Sequence, residues 1–319
     1  MRCVQCIDIL VTIRYADVVE LNHLEAFLEV VRRGGFTRAS TSLHLSQPAI
    51  SRRIQVLERE FGAPLFERLR DGLVLTDAGH AFLPHAEAVL ASVRHGIEAV
   101  HALRGPNRGA VTLAIVGTLA STALTDRLRR FRDAHPGVDL RIRTAVSAEV
   151  SDLVRRGDAT LGLRYRPDPD PALVSSPIYH EPLVPICSRR HRLAHARRVV
   201  PKALVGERWM TFPSRAGAAR EPYVWALEQR LAACGLGDAE IISIDSLTAQ
   251  KRMVEAGFGL ALLPVSSVEE ELRSGALCTL RIAAMRATIP VVLIRRRHAF
   301  LSGASQALMA MLARWQERP

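Results

Sequence analysis

A single amphipathic stretch, residues 46–61, concentrates side chains that can form hydrogen bonds with an external partner. If Ile50 is placed at zero degrees on a helical wheel, Ile54, Leu57 and Phe61 fall within about 40° of it and form one apolar stripe. The opposite side and the amino end carry no acidic residue; they hold Gln47, Pro48, Ser51, Arg52, Gln55 and Arg59. Amide, hydroxyl and guanidinium groups of this kind can bind the base edges and phosphates of a nucleic acid.

Two helices are needed to position these groups. Ser46 is a suitable N-cap for the second helix, and Pro48 fits its first turn because proline lacks a backbone N–H and has a fixed φ. A shorter helical segment, residues 36–44, precedes it with Ala39 and Leu43 on one face, and only about two residues join the helices. The pattern predicts a helix-turn-helix whose second helix enters the major groove of DNA.

Five segments, taken in order, resemble the amino-terminal signature of LysR-type transcriptional regulators. They are Phe36-Thr37-Arg38-Ala39, Ser46-Gln47-Pro48-Ala49-Ile50-Ser51, Leu57-Glu58, Pro64-Leu65-Phe66-Glu67-Arg68 and Leu75-Thr76-Asp77-Ala78-Gly79. Five pieces in one order are far more specific than a single short motif. The resemblance implies an α+β multidomain fold. It consists of an N-terminal winged helix-turn-helix, a long linker helix and a C-terminal two-lobe α/β effector-binding domain similar to periplasmic binding proteins.

The winged helix-turn-helix is expected at residues 21–76, after an N-terminal extension, 1–20, that is either a flexible tail or the product of a start codon assigned too early. Helix one is expected to run from Asn22, as N-cap, to Arg33. Gly35 stands where the family often has a capping serine, and Thr37 is expected to take part of that role. Residues 64–75 have the composition of a short hairpin, which the family uses as a wing.

Base contacts and phosphate contacts contribute differently to DNA binding, since phosphates set affinity and salt dependence while base edges carry the sequence. We expect Gln47, Ser51 and Arg52, with Pro48 and Gln55, to face bases. Thr37, Ser46, Arg53 and Arg68 are expected to face phosphates. An arginine-bearing helix face is also commonly just solvated, so these roles depend on the combination of motifs.

A long helical pattern follows at residues 77–104. Its apolar residues advance by steps of three and four, as a pairing helix needs: Phe82, Ala86, Val89, Val93, Ile97 and Val100. The seam could pack on its own domain, but the resemblance implies a linker helix through which two subunits form a homodimer, or a homotetramer. Two linked copies would read two half-sites of double-stranded DNA. Residues 105–109, Gly-Pro-Asn-Arg-Gly, predict a hinge.

Beyond the hinge, strand-like and helical runs alternate, which is typical of a parallel α/β sheet. Predicted strands lie at residues 111–116, 138–144, 161–163, 183–187, 209–212, 241–244, 260–263 and 290–295, and a last helix ends near Trp315. The resemblance implies two lobes in the effector-binding domain, 110–319. Lobe I is expected to comprise 110–188 and 265–319, and lobe II 189–264.

Ligands of open α/β sheets bind beyond the carboxyl ends of strands, against helix amino termini. This rule, together with the family's cleft, gives seven candidate effector-binding residues: Thr118, Ser121, Ser147, Arg164, Thr211, Phe212 and Ser246. Thr118, Ser147 and Ser246 could equally be helix caps, and Phe212 could be core. Arg164 favours an anionic, carboxylate-bearing effector, although Thr160 stands where the family often has an acid.

Charge and composition are weaker guides than these motifs. The net charge of +11 comes mainly from residues 105–319, which hold 31 Lys or Arg against 20 acids. Locally, residues 32–70 hold eight Arg and three Glu, a net of +5 on the proposed DNA-facing part. A small-molecule effector of negative charge or a compositional bias of the source genome would both explain the basic remainder.

An enzyme is not expected, because the 11 histidines are dispersed and no nucleophilic triad or phosphate loop can be argued from spacing. Cys3 and Cys6 lack a second ligand pair, so neither a metal nor a cofactor is predicted. A cytosolic location is expected because no secretory signal or membrane-length apolar run is present. Two alternatives stay open: an α/β lobe with hydrolytic activity, and a constitutive architectural DNA-binding protein that senses nothing.

Overall fold

The computed structural model of the chain describes residues 19–69, 72–102, 109–213 and 221–315. Its contacts divide the chain into two compact units, residues 1–90 and 91–319. Most of the predicted hinge, the extension up to residue 18 with Cys3 and Cys6, and Arg70 and Asp71 lie outside the described residues. Gly109, the last residue of that hinge, is the first residue of a strand.

The first unit contains three short helices and a hairpin. Its elements are α1 (Leu21–Arg33), α2 (Phe36–Ser42), α3 (Gln47–Phe61), β1 (Phe66–Leu69), β2 (Gly72–Leu75) and the start of α4 (Asp77–Ala102). The strands β1 and β2 are antiparallel, with Arg68 opposite Leu73, so the predicted hairpin is confirmed. Phe27, Ile50, Ile54 and Leu57 are buried in one small core.

Local chemistry explains where these helices begin and end, and two predicted boundaries were wrong. The N-cap of α1 is Glu20, not Asn22, because Glu20 and His23 form a reciprocal capping box with each other's backbone. The helix ends at Gly34, which adopts the left-handed φ of 63° that favours glycine. Helix α2 stops at Ser42 rather than at residue 44, since His44 also takes a positive φ, 54°.

The second unit is built on one large sheet with helices packed against it. Its strands are β3 (Gly109–Val116), β4 (Val138–Ala145), β5 (Leu161–Tyr165), β6 (Leu173–Ser188), β7 (Trp209–Thr211), β8 (Ile241–Ser243), β9 (Leu260–Pro264), β10 (Leu277–Thr279) and β11 (Ala287–Arg296). The helices are α5 (Thr122–Ala134), α6 (Ser147–Arg155), α7 (Pro222–Ala233), α8 (Leu247–Glu255), α9 (Val265–Ser274) and α10 (Gly303–Ala313).

The order of the strands is β4-β3-β5-β11-β6-β9-β7-β8, with β10 on β6. Strand β3 is parallel to β4 and β5, and β7 is parallel to β8 and β9, whereas β6, β10 and β11 pair antiparallel. At Leu183, strand β6 changes partner from β11 to β9. We call β3–β5 with α5 and α6 lobe I, and β7–β9 with α7 and α8 lobe II.

The fold class is the one that the sequence predicted, but the sheet is mixed and not parallel throughout, and three elements of the second unit were missed. They are the first half of β6, helix α9 and strand β10. Residues 173–182 include two prolines and two serines, a composition that argues against a strand. Pairing with the apolar strand β11 along ten residues holds this segment extended. Within the described ranges, no helix combines the length and apolar character that crossing a bilayer requires.

Candidate nucleic-acid interface and ligand cleft

The polar face of α3 points away from the small core of the first unit. Ile50, Ile54 and Leu57 are buried, while Gln47, Pro48, Arg52 and Gln55 are exposed and Ser51 is half-buried. The Ser46 hydroxyl accepts from the Ala49 N–H at 3.3 Å, so the predicted cap is confirmed. The face therefore offers amide and guanidinium donors that no described residue of the first unit covers.

Four further predicted residues flank this face. The exposed Ser46 lies at its amino end, and Thr37 is exposed near the start of α2. Arg53 is half-buried and donates from Nη1 to the Asn22 carbonyl at 3.4 Å, which ties α3 to α1. Arg68 is exposed on β1, with its guanidinium carbon 5.8 Å from the centre of the Phe36 ring.

The sequence predicts that Thr37 takes part in capping α2, and this prediction is wrong. The N-cap is Gly35, and no side chain accepts from the first turn of that helix. Instead, the Thr37 carbonyl accepts from the Ser40 hydroxyl at 2.8 Å. Thr37 is exposed, and its hydroxyl takes no part in that bond.

Glu58 and Arg59 extend the same surface and were not among the predicted contacts. They line a shallow concavity with Arg52, Gln55 and Pro64. The Glu58 carboxylate accepts from the Leu65 N–H at 2.8 Å, so it links α3 to the segment that enters the hairpin. Arg59 is exposed near the carboxyl end of α3, and its Nε donates to the Gln55 carbonyl at 3.2 Å.

Helix α4 carries an unusual amount of exposed apolar surface. Val89, Val93, Ile97 and Val100 are 44%, 38%, 51% and 60% exposed. They lie on one stripe of the helix, which is the predicted seam, whereas Ala86 on the same stripe is buried. An apolar stripe of this length is more typical of a helix that pairs with another subunit than of a solvated one.

In the second unit, a carboxylate of lobe II contacts the first residue of α6 in lobe I. The backbone N–H of Ser147 donates to Oε1 of Glu221, and the Ser147 hydroxyl donates to Oε2 at 2.8 Å. Glu221 immediately precedes α7, and it is only 9% exposed. Burial raises the pKa of Glu221, an effect that the Ser147 hydrogen bonds and the positive charge of Arg164 only partly offset.

Aromatic residues fill the space beside this contact. The Tyr165 and Tyr223 rings meet edge to face with centroids 5.7 Å apart, and Phe212 packs on Tyr223 at 5.3 Å. The hydroxyls of Thr118 and Tyr165 are 2.9 Å apart. Burial raises the pKa of both tyrosines, so both are neutral phenols at physiological pH. Thr118, Ser147 and Phe212 thus lie in one cluster with Tyr165, Glu221 and Tyr223.

Arg164 is already paired within the chain. Its guanidinium donates to the Ser151 hydroxyl and to the Asp168 carboxylate, and its Nε donates to the Tyr165 carbonyl at 3.3 Å. Burial raises the pKa of Asp168, but hydrogen bonds from Ser151 and Asp170 and the charge of Arg164 outweigh it, and the net shift is downward. A carboxylate effector at Arg164 would have to compete with this internal carboxylate.

The remaining predicted cleft residues have structural roles of their own. Ser121 and Ser246 cap α5 and α8, accepting from Leu124 and Ala249 N–H groups at 3.3 Å in each case. Ser121 is buried and Ser246 exposed, and Thr211 is buried at the end of β7. Sequence reasoning missed Tyr165, Glu221 and Tyr223, because only the tertiary fold brings these distant segments together.

Among the residues that the structure describes, no group of three or more His, Cys, Asp and Glu is placed to hold a metal ion. His191 Nε2 lies 3.3 Å from the Glu207 carboxylate.

Comparison with known proteins covers both units. A family model described as "LysR substrate binding domain" matches residues 104–317, and one described as "Bacterial regulatory helix-turn-helix protein, lysR family" matches residues 21–80. The HTH-type transcriptional regulator CfxR of Cupriavidus necator is 32% identical over 269 residues, which cover 84% of this chain and 83% of CfxR. The RuBisCO operon transcriptional regulator of Allochromatium vinosum is 29% identical, covering 91% and 94% of the two chains.

A solved structure has the same fold along nearly the whole chain. Full-length CbnR in complex with its target DNA superposes with a TM-score of 0.60 at 24% identity, covering 92% of this chain and 99% of CbnR. A sequence identity of 24% supports the same arrangement of helices and strands, and it gives no information on the ligand of this chain.

Proposed function

The chain belongs to the LysR family of bacterial transcriptional regulators, and we propose that it reads an operator sequence with α3 and senses a small molecule between the two lobes. Like the relatives that it matches, it is a transcriptional regulator and not an enzyme. Its DNA-binding part is a helix-turn-helix, and its C-terminal part is the substrate-binding domain of the family. We further propose that it acts in the cytosol, where its DNA target lies.

The proposal that α3 reads DNA rests on the difference between its buried apolar face and its exposed polar face. Ile50, Ile54 and Leu57 fix one side of the helix in the core, so Gln47 and Arg52 must project on the other side. The major groove admits an α-helix, and glutamine and arginine can each make two hydrogen bonds to one base. Gln47, Ser51 and Arg52, with Pro48 and Gln55, are assigned to bases.

Phosphate contacts are assigned to residues at the edges of that face. Ser46 and Thr37 offer hydroxyls at the starts of α3 and α2, and Arg68 lies on the hairpin that forms the wing. Arg53 keeps one bond to the Asn22 carbonyl and has further N–H groups free to donate. These residues would fix the orientation of α3 in the groove and set the salt dependence of binding.

Pairing of two α4 helices supports a homodimer or a homotetramer. The exposed stripe formed by Val89, Val93, Ile97 and Val100 requires an apolar partner, and the same stripe of a second chain is complementary to it. A dimer presents two copies of α3 to two half-sites, and linkage raises the effective affinity of each.

The effector is placed at the cluster formed by Thr118, Ser147 and Phe212 with Tyr165, Glu221 and Tyr223, where residues of both lobes meet. A ligand there can change the relation between the lobes, and it shifts the equilibrium only by its difference in affinity for the two arrangements. We assign four further residues to the margin of the site. They are Arg164 and three residues at the ends of neighbouring strands and helices, Ser121, Thr211 and Ser246. We propose that the effector is anionic.

Selection of binding sites from randomised DNA by the full chain tests the first part of this function. One enriched motif with two half-sites is expected, and enrichment of no motif would point to the architectural alternative. Footprinting of the selected site with a panel of small carboxylic and phosphorylated acids tests sensing. Identical protection and bending with every compound would contradict it.

A further inference from the structure

Glu221 makes an unusual connection between the lobes. It belongs to the start of α7 in lobe II, and both of its carboxylate oxygens are bonded to Ser147 of lobe I. The residue is about nine-tenths buried, yet no described arginine, lysine or histidine forms an ion pair with it. Among the described residues, the hydrogen bonds to this carboxylate come from the N–H and the hydroxyl of Ser147, and Arg164 acts on it through its charge.

The position of Ser147 explains why a carboxylate binds there. Ser147 is the first residue of α6, so its N–H has no partner within the helix and lies at the positive end of the helix dipole. The N-cap residue is Val146, whose side chain cannot accept a hydrogen bond. Glu221 supplies the missing acceptor from the other lobe.

We propose that Glu221 is an internal competitor of the effector: its carboxylate occupies the donors of Ser147 and holds the lobes together, and a ligand carboxylate gains those donors only by displacing it. This inference rests on the proposed function, because it places the effector at the same cluster. It names the recognised group of that effector as a carboxylate or an oxyanion of similar size, since Ser147 offers two donors to two oxygens.

Electrostatic repulsion implies that a ligand carboxylate replaces the Glu221 carboxylate at Ser147 and does not bind beside it. Two carboxylates cannot share the donors of one serine inside the protein, because like charges at close range repel strongly in a poorly solvated site. Glu221 must therefore move into water when the ligand arrives, and the start of α7 must move with it. Binding of the effector would release lobe II from α6, so the ligand opens this contact between the lobes.

Chemical rescue tests the inference without DNA and without knowledge of the effector. Glu221→Ala removes the internal carboxylate and leaves a space beside Ser147 that acetate can fill. In the full chain, we expect about 0.5 M sodium acetate to raise the Tm of E221A by about 2–4 °C more than sodium chloride of equal concentration. Hydrogen exchange in the first turn of α6 should become faster in E221A and slow again with acetate.

The matched control is Glu221→Gln, which keeps the space filled and retains one acceptor for Ser147. Wild type and E221Q should show the same small difference between acetate and chloride, which measures the general effect of the salts. If E221A does not fold, Glu221→Ser replaces it, because its side chain is uncharged and also leaves space beside Ser147. An acetate effect in E221A or E221S no larger than in E221Q would overturn the inference, while leaving the DNA-reading proposal untouched.

Discussion

The hydroxyl of Thr118, just after β3, lies 2.9 Å from the hydroxyl of Tyr165, the last residue of β5. Both residues are buried, and the Tyr165 side chain has no exposed surface. The Tyr165 ring also meets the Tyr223 ring of α7, so this pair of hydroxyls connects the strand ends of lobe I to lobe II. Leaving one of two buried hydroxyls without a partner costs more free energy of folding than replacing both hydroxyls by apolar groups.

We therefore expect non-additive effects from Tyr165→Phe and Thr118→Val. Each single change leaves one buried hydroxyl without a partner and should lower the free energy of unfolding by about 1–3 kcal/mol. The double variant removes both hydroxyls and should lose less than the sum of the two. Urea unfolding of the full chain, followed by tryptophan fluorescence, measures this cycle, and strict additivity would show that the two hydroxyls do not interact.

A second prediction concerns pH. The Glu181 carboxylate is fully buried, and it accepts from the Ser266 N–H and the Tyr179 hydroxyl, each at 3.0 Å. Burial raises the pKa of Glu181 above its ordinary value of 4.5, an effect larger than the lowering by these hydrogen bonds. Between 4.5 and the raised pKa the folded chain binds more protons than the unfolded chain. The free energy of unfolding contributed by this group therefore increases as pH falls through that window.

Glu181→Gln removes that contribution. At pH about 7.5 we expect E181Q to be as stable as wild type or more stable. At pH about 5 the free energy of unfolding of wild type should have risen relative to that of E181Q, by less than about 1.4 kcal/mol for each unit by which the pKa is raised, because pH 5 is still above the unfolded pKa. Urea unfolding at the two pH values gives the difference. The exposed Glu269→Gln on α9 is the control, and equal pH dependence of E181Q and E269Q relative to wild type would refute the prediction.

Elements whose signals are local in sequence were predictable from the sequence. The start of α3 depends on Ser46 and Pro48, which are two residues apart in the chain, and its buried face depends on the spacing of Ile50, Ile54 and Leu57. The parallel strands β3, β4 and β5 are separated by helix-length intervals; β3 and β5 are mainly apolar, and β4 alternates apolar with polar residues. In these cases the local preference and the final packing agree.

The cleft could not be derived in the same way. Ser147 was a candidate because it opens a helix after a strand, but its partner Glu221 lies 74 residues further along the chain. Nothing in the sequence around Glu221 distinguishes it from an ordinary residue ahead of Pro222. Arg164 was expected to be available for a ligand, yet Asp168 pairs with it four residues later. Which of several possible acceptors a buried donor uses is set by tertiary packing.

A third prediction tests the exposed stripe of α4. Val93→Glu places a charge at its centre and should convert the oligomer largely to monomer at low micromolar concentration, because a buried unpaired charge is costly. Sedimentation velocity measures the change. Ala88→Glu is the matched control, since Ala88 is exposed on the opposite side of the same helix. A monomer in A88E as well, or an unchanged oligomer in V93E, would show that α4 pairs through another face.

The last prediction separates base contacts from phosphate contacts, and it uses two arginines of the first unit that are both exposed. Arg52→Ala should weaken binding to the selected operator by about 1–3 kcal/mol and relax the preference at one base pair, because arginine on the face of α3 discriminates between bases. Arg68→Ala should weaken binding to all sequences similarly and reduce the salt slope by about one for each lost phosphate contact.

Fluorescence anisotropy with the operator and a scrambled duplex, at several salt concentrations, distinguishes the two outcomes. Since both changes remove the same side chain from the surface, a general loss of charge would affect both variants alike. R52A should therefore lower the ratio of the affinity for the operator to the affinity for the scrambled duplex, and R68A should leave that ratio unchanged. If both variants bound as wild type does, α3 would have to present a different face to DNA, because the buried stripe of Ile50, Ile54 and Leu57 cannot turn outward without unfolding the unit.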